Sequence, residues 1–269
     1  MEPNQSGTLE AAQVESTSAD AYNIDVISTE ETTDIPEIHR GTVDNPFLYD
    51  AGIPELEKFI LVNMFVAGKN ASIQQLKLDQ FVDRVRRDLG DYVVDTLGVL
   101  SAINNCLTSA TLNDTVLGWL KEVKAGQYTR LTTGIIQLAE YIGAGKIDLK
   151  KCTRNDLVRV KGIGWKTASM FLLYTRRNAK TACLDTHILK YLREEAAIPD
   201  VPLTTPTVKN DYLRLEAAFI EIVRLSGKTV AEFDFEIWSR YRQKVDNADT
   251  TSVQKSTVVI TEEVATASA

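Results

Sequence analysis

Two side chains within "RVKGIGWKTASMFLLYTRRNAKTACLDTHILK" (159–190) could do chemistry together. Lys166 falls in the first turn of an apolar helical run, the end of a helix that favours anions rather than cations. An amine placed there, with apolar neighbours, is a candidate nucleophile. Asp185 opens the following helical run at its N-cap position, where backbone N–H groups can hold one carboxylate oxygen while the other faces a reactant. Just before the lysine, Gly162-Ile163-Gly164 allows a tight reversal whose bare backbone can approach a ligand closely. The unpaired N–H groups of the helix start lie beside it, so an anion such as phosphate is the natural guest. Each residue also has a plainer reading: a solvated lysine, a simple helix cap and an ordinary turn between helices.

The elements that must position these groups read as helices. Apolar residues recur at three and four in "PELEKFILVNMFVAG", with Pro54 early in the first turn, and in "IQQLKLDQFVDRVRRDLG", which ends at Gly90. The segments 93–105, 113–126, 131–145, 154–162, 165–177, 185–195, 208–227 and 230–243 follow the same rule. Several carry Asn, Asp, Ser or Thr near their start, and nothing resembles a hairpin of alternating strands. The fold class is all-α. Residues 1–42 and 247–269, rich in Ser, Thr and acids, read as disordered tails around a domain at 43–246. A short "STVVIT" run in the second tail could form a strand.

The net charge of −7 is unevenly spread. Residues 1–40 hold nine acids and one base; residues 246–269 hold four acids and one base. That leaves 24 acids and 28 bases in residues 41–245, a mildly basic body compatible with nucleic acid. Three scattered cysteines and two histidines offer no metal-ligand cluster, so no metal or other cofactor is expected. No apolar run approaches the roughly 20 residues of a membrane span, and the first residues lack a secretion or transit signal. The expectation is a cytoplasmic, monomeric protein.

The combination "LVRVKGIGWKTASMFLLY…ACLDTHILKYLRE", with "GQYTRLTTGIIQLAEYI" upstream, resembles the helix-hairpin-helix DNA glycosylase superfamily, which includes endonuclease III and 8-oxoguanine glycosylase. The resemblance covers roughly 50–245 and is strongest at 127–193. It implies a two-lobed helical domain with a central cleft that flips a base out of double-stranded DNA. It implies that Lys166 attacks the sugar C1′ and forms a Schiff base, while Asp185 assists base departure and proton transfer. Lys161, Gly162 and Gly164 would grip the DNA backbone, and Lys69 and Asn70, after an early helix, would contact the opposite strand. Asp234, Phe235, Trp238 and His187 are candidates for the base pocket, although core packing explains the aromatics and a structural role suits His187. Arg176 and Arg177 could pair with phosphates or equally lie on a solvated face, and Trp165 reads as core or hairpin packing.

Departures from the pattern narrow the resemblance. The four-cysteine iron–sulfur motif is missing and Lys161 replaces the proline usual before the first glycine; the expected form is compact and metal-free, without the N-terminal domain of longer 8-oxoguanine enzymes. The leading expectation is a DNA glycosylase/AP lyase for an oxidised purine. An alternative is a phage-type enzyme of thymine hypermodification, transferring an amino acid or other amine onto activated 5-hydroxymethyluracil in DNA. A non-catalytic DNA-binding module is the third reading.

Overall fold

The first helical run in the chain is apolar on nearly every side, and a helix of that kind must be buried. In the computed structural model, which describes residues 47–241, this run forms α1 (Ile53–Val66) with Pro54 in its first turn. α1 is the central rod. It packs against α2 (Ala71–Leu89), α3 (Asp91–Leu97), α4 (Val99–Cys106), α6 (Tyr128–Gly143) and α8 (Trp165–Thr175). Between these lie α5 (Ser109–Glu122), which packs on α6, and the single-turn α7 (Arg154–Leu157), which packs on α8. α9 (Thr186–Glu194), α10 (Lys209–Ser226) and a last helix over 230–241, here α11, complete the described chain. Every regular element among the described residues is helical. The readings for both tails, including the short strand, and the domain limits at 43 and 246 lie outside the described residues. No described helix is long and apolar enough to cross a membrane.

Two helical segments are shorter than their periodicity predicts. The run 93–105 breaks at Gly98, whose φ of 96° is open to glycine and strained for other residues. The break leaves the first N–H groups of α4 without a partner from their own chain segment. Glu57 of α1, fully buried, supplies the missing cap: it accepts from Leu100 N (2.6 Å), Ser101 N (3.3 Å) and Ser101 Oγ (2.5 Å). A Cβ at position 98 would lie 2.3 Å from Glu57 Oε2, so the glycine also makes room for the carboxylate. The run 154–162 is helical only to Leu157, held by a capping box between Thr153 and Asp156, and then turns.

Burial pushes the Glu57 carboxyl above its ordinary value of 4.5, with its three hydrogen bonds opposing the shift. A raised folded value means the folded state binds this proton more readily than the unfolded chain. The stabilising contribution is therefore complete below the unfolded value and is lost as pH rises through the raised one. Denaturant unfolding of wild type and Glu57→Gln across pH 4 to 8 is expected to show wild type gaining on the variant as pH falls through that window. Parallel curves would show that Glu57 does not titrate differently on folding.

Candidate active site

The turn after α7 is built around one left-handed residue. Gly162 has φ 86°, whereas Gly164 has φ −91° and ψ 179°, a conformation open to any residue. Ile163 between them is 4% exposed and pins the turn to the core. α6 presses against the turn from behind. A Cβ on its Gly134 would lie 2.5 Å from Lys161 O and 2.7 Å from Met64 Cε, so only glycine permits this approach. Arg130, also on α6, donates to Gly162 O (3.3 Å) and Met64 O (2.7 Å), and Gln137 Oε1 accepts from Lys161 N (2.8 Å). Arg130, Gln137 and Gly134 escape the sequence reading; a glycine inside a helical run was the one available signal.

Gly164 caps α8, and a Cβ added there would meet nothing within 4 Å. Neither backbone strain nor internal crowding accounts for glycine at this position. Lys161 is exposed, with no ion-pair partner among the described residues. Lys166 is the second residue of α8, half-buried, and makes no hydrogen bond or ion pair among the described residues. Trp165 beside it lies under the Arg154 guanidinium (4.7 Å to the ring centre) and Lys209 Nζ (5.1 Å), with the Tyr212 ring 6.2 Å away. It is partly buried against the core, between α7 and α10 side chains, which agrees with a packing role.

Asp185 is the N-cap of α9. Its Oδ1 accepts from both His187 N and Ile188 N (2.9 Å each), while Oδ2 has no hydrogen bond among the described residues. One oxygen is fixed and the other is available for chemistry. His187 stacks on the Tyr241 ring, centres 5.9 Å apart.

Other candidates have internal partners. Lys69 Nζ donates to Ala125 O (2.7 Å), and burial, then Lys77 and Arg130, pull its ammonium below the ordinary lysine value. Asn70 caps α2 through Ile73 N. Asp234 is 2% exposed and accepts from Tyr174 OH (2.7 Å), near the end of α8 about 12 Å along the axis from Lys166. Phe235 and Trp238 stack on each other, ring centres 6.1 Å apart. Arg177 pairs with Asp50 (2.5 Å), and Arg176 donates to Leu149 O and Thr175 O, both at that same far end. A cavity of about 890 Å³ opens there, lined by residues such as Tyr49, Lys150, Arg176 and Lys180. Neither Lys166 nor Asp185 lines it.

Residues 135–227 match the family described as 8-oxoguanine DNA glycosylase, helix-hairpin-helix type. Over 95 residues the chain is 36% identical to the 8-oxoguanine DNA glycosylase/AP lyase of Thermotoga sp. (strain RQ2) and 35% identical to that of Thermotoga maritima. These matches cover 35% of this chain and 44% of each relative, so the chain spans under half the length of the curated relatives it matches. Among solved structures, the fold is similar to that of Methanocaldococcus jannaschii 8-oxoguanine glycosylase/lyase in complex with a 15mer DNA containing 8-oxoguanine. That likeness has a TM-score of 0.50 at 22% identity over 70% of this chain and 81% of the other. The glycine hairpin braced by α6 lies inside the segment, residues 135–227, that is similar to the 8-oxoguanine DNA glycosylase family, and the helical architecture around it is similar to that of the solved enzyme.

Proposed function

We propose that the protein is a DNA glycosylase/AP lyase that removes a damaged base, an oxidised purine such as 8-oxoguanine, from double-stranded DNA. The observation that carries this reading is Lys166 in the first turn after the hairpin, without a partner among the described residues, together with Oδ2 of Asp185, likewise unengaged among them. A half-buried ammonium with no counter-ion among the described residues does nothing evident for their fold. The glycosylase/AP lyase activity of the relatives fits what such an amine can do. In the proposed reaction the target nucleotide leaves the base stack. The bond from C1′ to the base breaks and its electron pair departs with the base. The Lys166 nitrogen takes the vacated position on C1′, Asp185 receives the proton the amine sheds, and opening of the sugar ring gives the Schiff base. Loss of the C2′ proton then expels the 3′ phosphate and cuts the strand. The protein acts as a monomer, with Lys161 and the hairpin backbone on the phosphates.

Mass spectrometry of products from duplexes carrying oxidised purines or activated 5-hydroxymethyluracil tests this reading. Free oxidised base plus a cut strand is expected. Amine transfer to the modified pyrimidine without cleavage would move the assignment to the transferase chemistry, and binding without any product would reduce the protein to a DNA-binding module.

Gly164 offers a separate prediction. Aspartate is a good N-cap and suits the positive end of a helix, so Gly164→Asp is expected to leave unfolding unchanged or raise stability by up to about 1 kcal/mol. The same carboxylate would sit where a DNA phosphate approaches. Duplex affinity is expected to fall at least about tenfold, roughly 1.4 kcal/mol. Binding at wild-type strength would show that phosphates do not approach here.

A further inference from the structure

Asp185 sits at the end of a segment, 176–185, with no regular secondary structure, yet Ala182, Cys183 and Leu184 are buried. Their backbone groups must find partners, and most of those partners are side chains of α10 and the loop before it. Tyr212 OH donates to Ala182 O (2.6 Å) and accepts from Leu184 N (3.3 Å). Glu216 Oε1 accepts from Ala182 N (2.8 Å), and Thr205 Oγ1 donates to Leu184 O (2.7 Å). The same Glu216 oxygen accepts from Arg154 Nη1 (2.5 Å), whose second partner is Ser169 Oγ (3.0 Å). Arg154 belongs to α7, ahead of the hairpin, and Ser169 stands one turn beyond Lys166 on α8. Thr181 Oγ1 adds a bond to Ser169 O (3.3 Å).

One pair of α10 residues therefore fastens three pieces: the helix leading into the hairpin, the helix that carries the lysine, and the loop that carries the aspartate. We infer that Tyr212 and Glu216 are positioning residues that set the Asp185 carboxylate relative to the Lys166 amine, with Arg154 completing the clamp. This rests on the reading of Lys166 and Asp185 proposed above. Neither Tyr212 nor Glu216 touches the reacting groups in this account. Their role is geometric, and a misplacement on the order of 1 Å can cost about 100-fold in rate.

Tyr212→Phe is the cleanest test, since it keeps the ring against Trp165 and removes only the hydroxyl. Base excision measured in single turnover on an 8-oxoguanine duplex is expected to fall roughly 10- to 100-fold. Borohydride trapping on a duplex that already contains an abasic site needs the lysine but no base departure, and is expected to stay within about threefold of wild type. Amide hydrogen exchange at His187 and Ile188, the two donors to Asp185, is expected to quicken. Glu216→Gln, which keeps an acceptor for Ala182 N but loses the charge facing Arg154, is expected to follow the same pattern.

Equal losses in excision and trapping would indicate general loosening and overturn the positioning role, as would excision at the wild-type rate. Unchanged exchange at those two amides overturns the clamp whatever the wild type catalyses. A wild-type protein that neither excises nor traps overturns the reading of the site itself, and with it the catalytic half of this inference.

Discussion

Lys166→Gln is expected to abolish the covalent adduct formed with lesion-containing DNA under borohydride while the protein stays folded and still binds duplex. The fold depends little on this side chain. Lys166 makes no hydrogen bond or ion pair among the described residues, and glutamine has nearly the same helix propensity. A stability change within about 0.5 kcal/mol is expected by thermal or denaturant unfolding. In the proposed reaction the chemistry depends on it entirely, because an amide nitrogen cannot form a Schiff base. A trapped adduct from Lys166→Gln would mean that another amine attacks the sugar.

Asp185→Asn separates the helix cap that the structure shows from the proton acceptor of the proposed reaction. Its Oδ1 caps α9 through His187 N and Ile188 N, and asparagine caps helices about as well as aspartate. The helix should therefore remain in place with its start intact. What the substitution removes is the negative charge and proton acceptor at Oδ2. Excision in single turnover is expected to fall about 10²- to 10⁴-fold, the range typical for losing a positioned acid or base. If Asp185 were only a cap, the asparagine variant would excise at nearly the wild-type rate and Asp185→Ala would lose about 1 kcal/mol of stability.

The parts of the site visible in the sequence are those written in adjacent residues. A glycine hairpin, a lysine in the next first turn and an aspartate at a helix start each follow from local rules of conformation and capping, and Lys166 and Asp185 occupy those places in the structure. Interactions that join distant segments leave no such mark. The Arg154–Glu216 pair spans 62 positions and the Glu57 cap of α4 spans 43. Periodicity alone carries 93–105 as one helix, since a glycine inside a helical pattern does not announce whether a buried carboxylate waits beside it. Asp234, a base-pocket candidate by resemblance, accepts from the Tyr174 hydroxyl in the interior across 60 positions, a contact the sequence does not announce. Arg176 and Arg177 directly follow the helix that bears Lys166, but that helix is about 15 Å long between Lys166 and Arg176, enough to carry them to its far end.

Peptide mapping of the borohydride-trapped wild-type adduct is the most direct test of the account. The DNA remnant is predicted on the peptide containing Lys166 and on that side chain alone. A remnant on Lys161, Lys190 or Lys209, or no adduct on any oxidised-purine or abasic duplex, would contradict it.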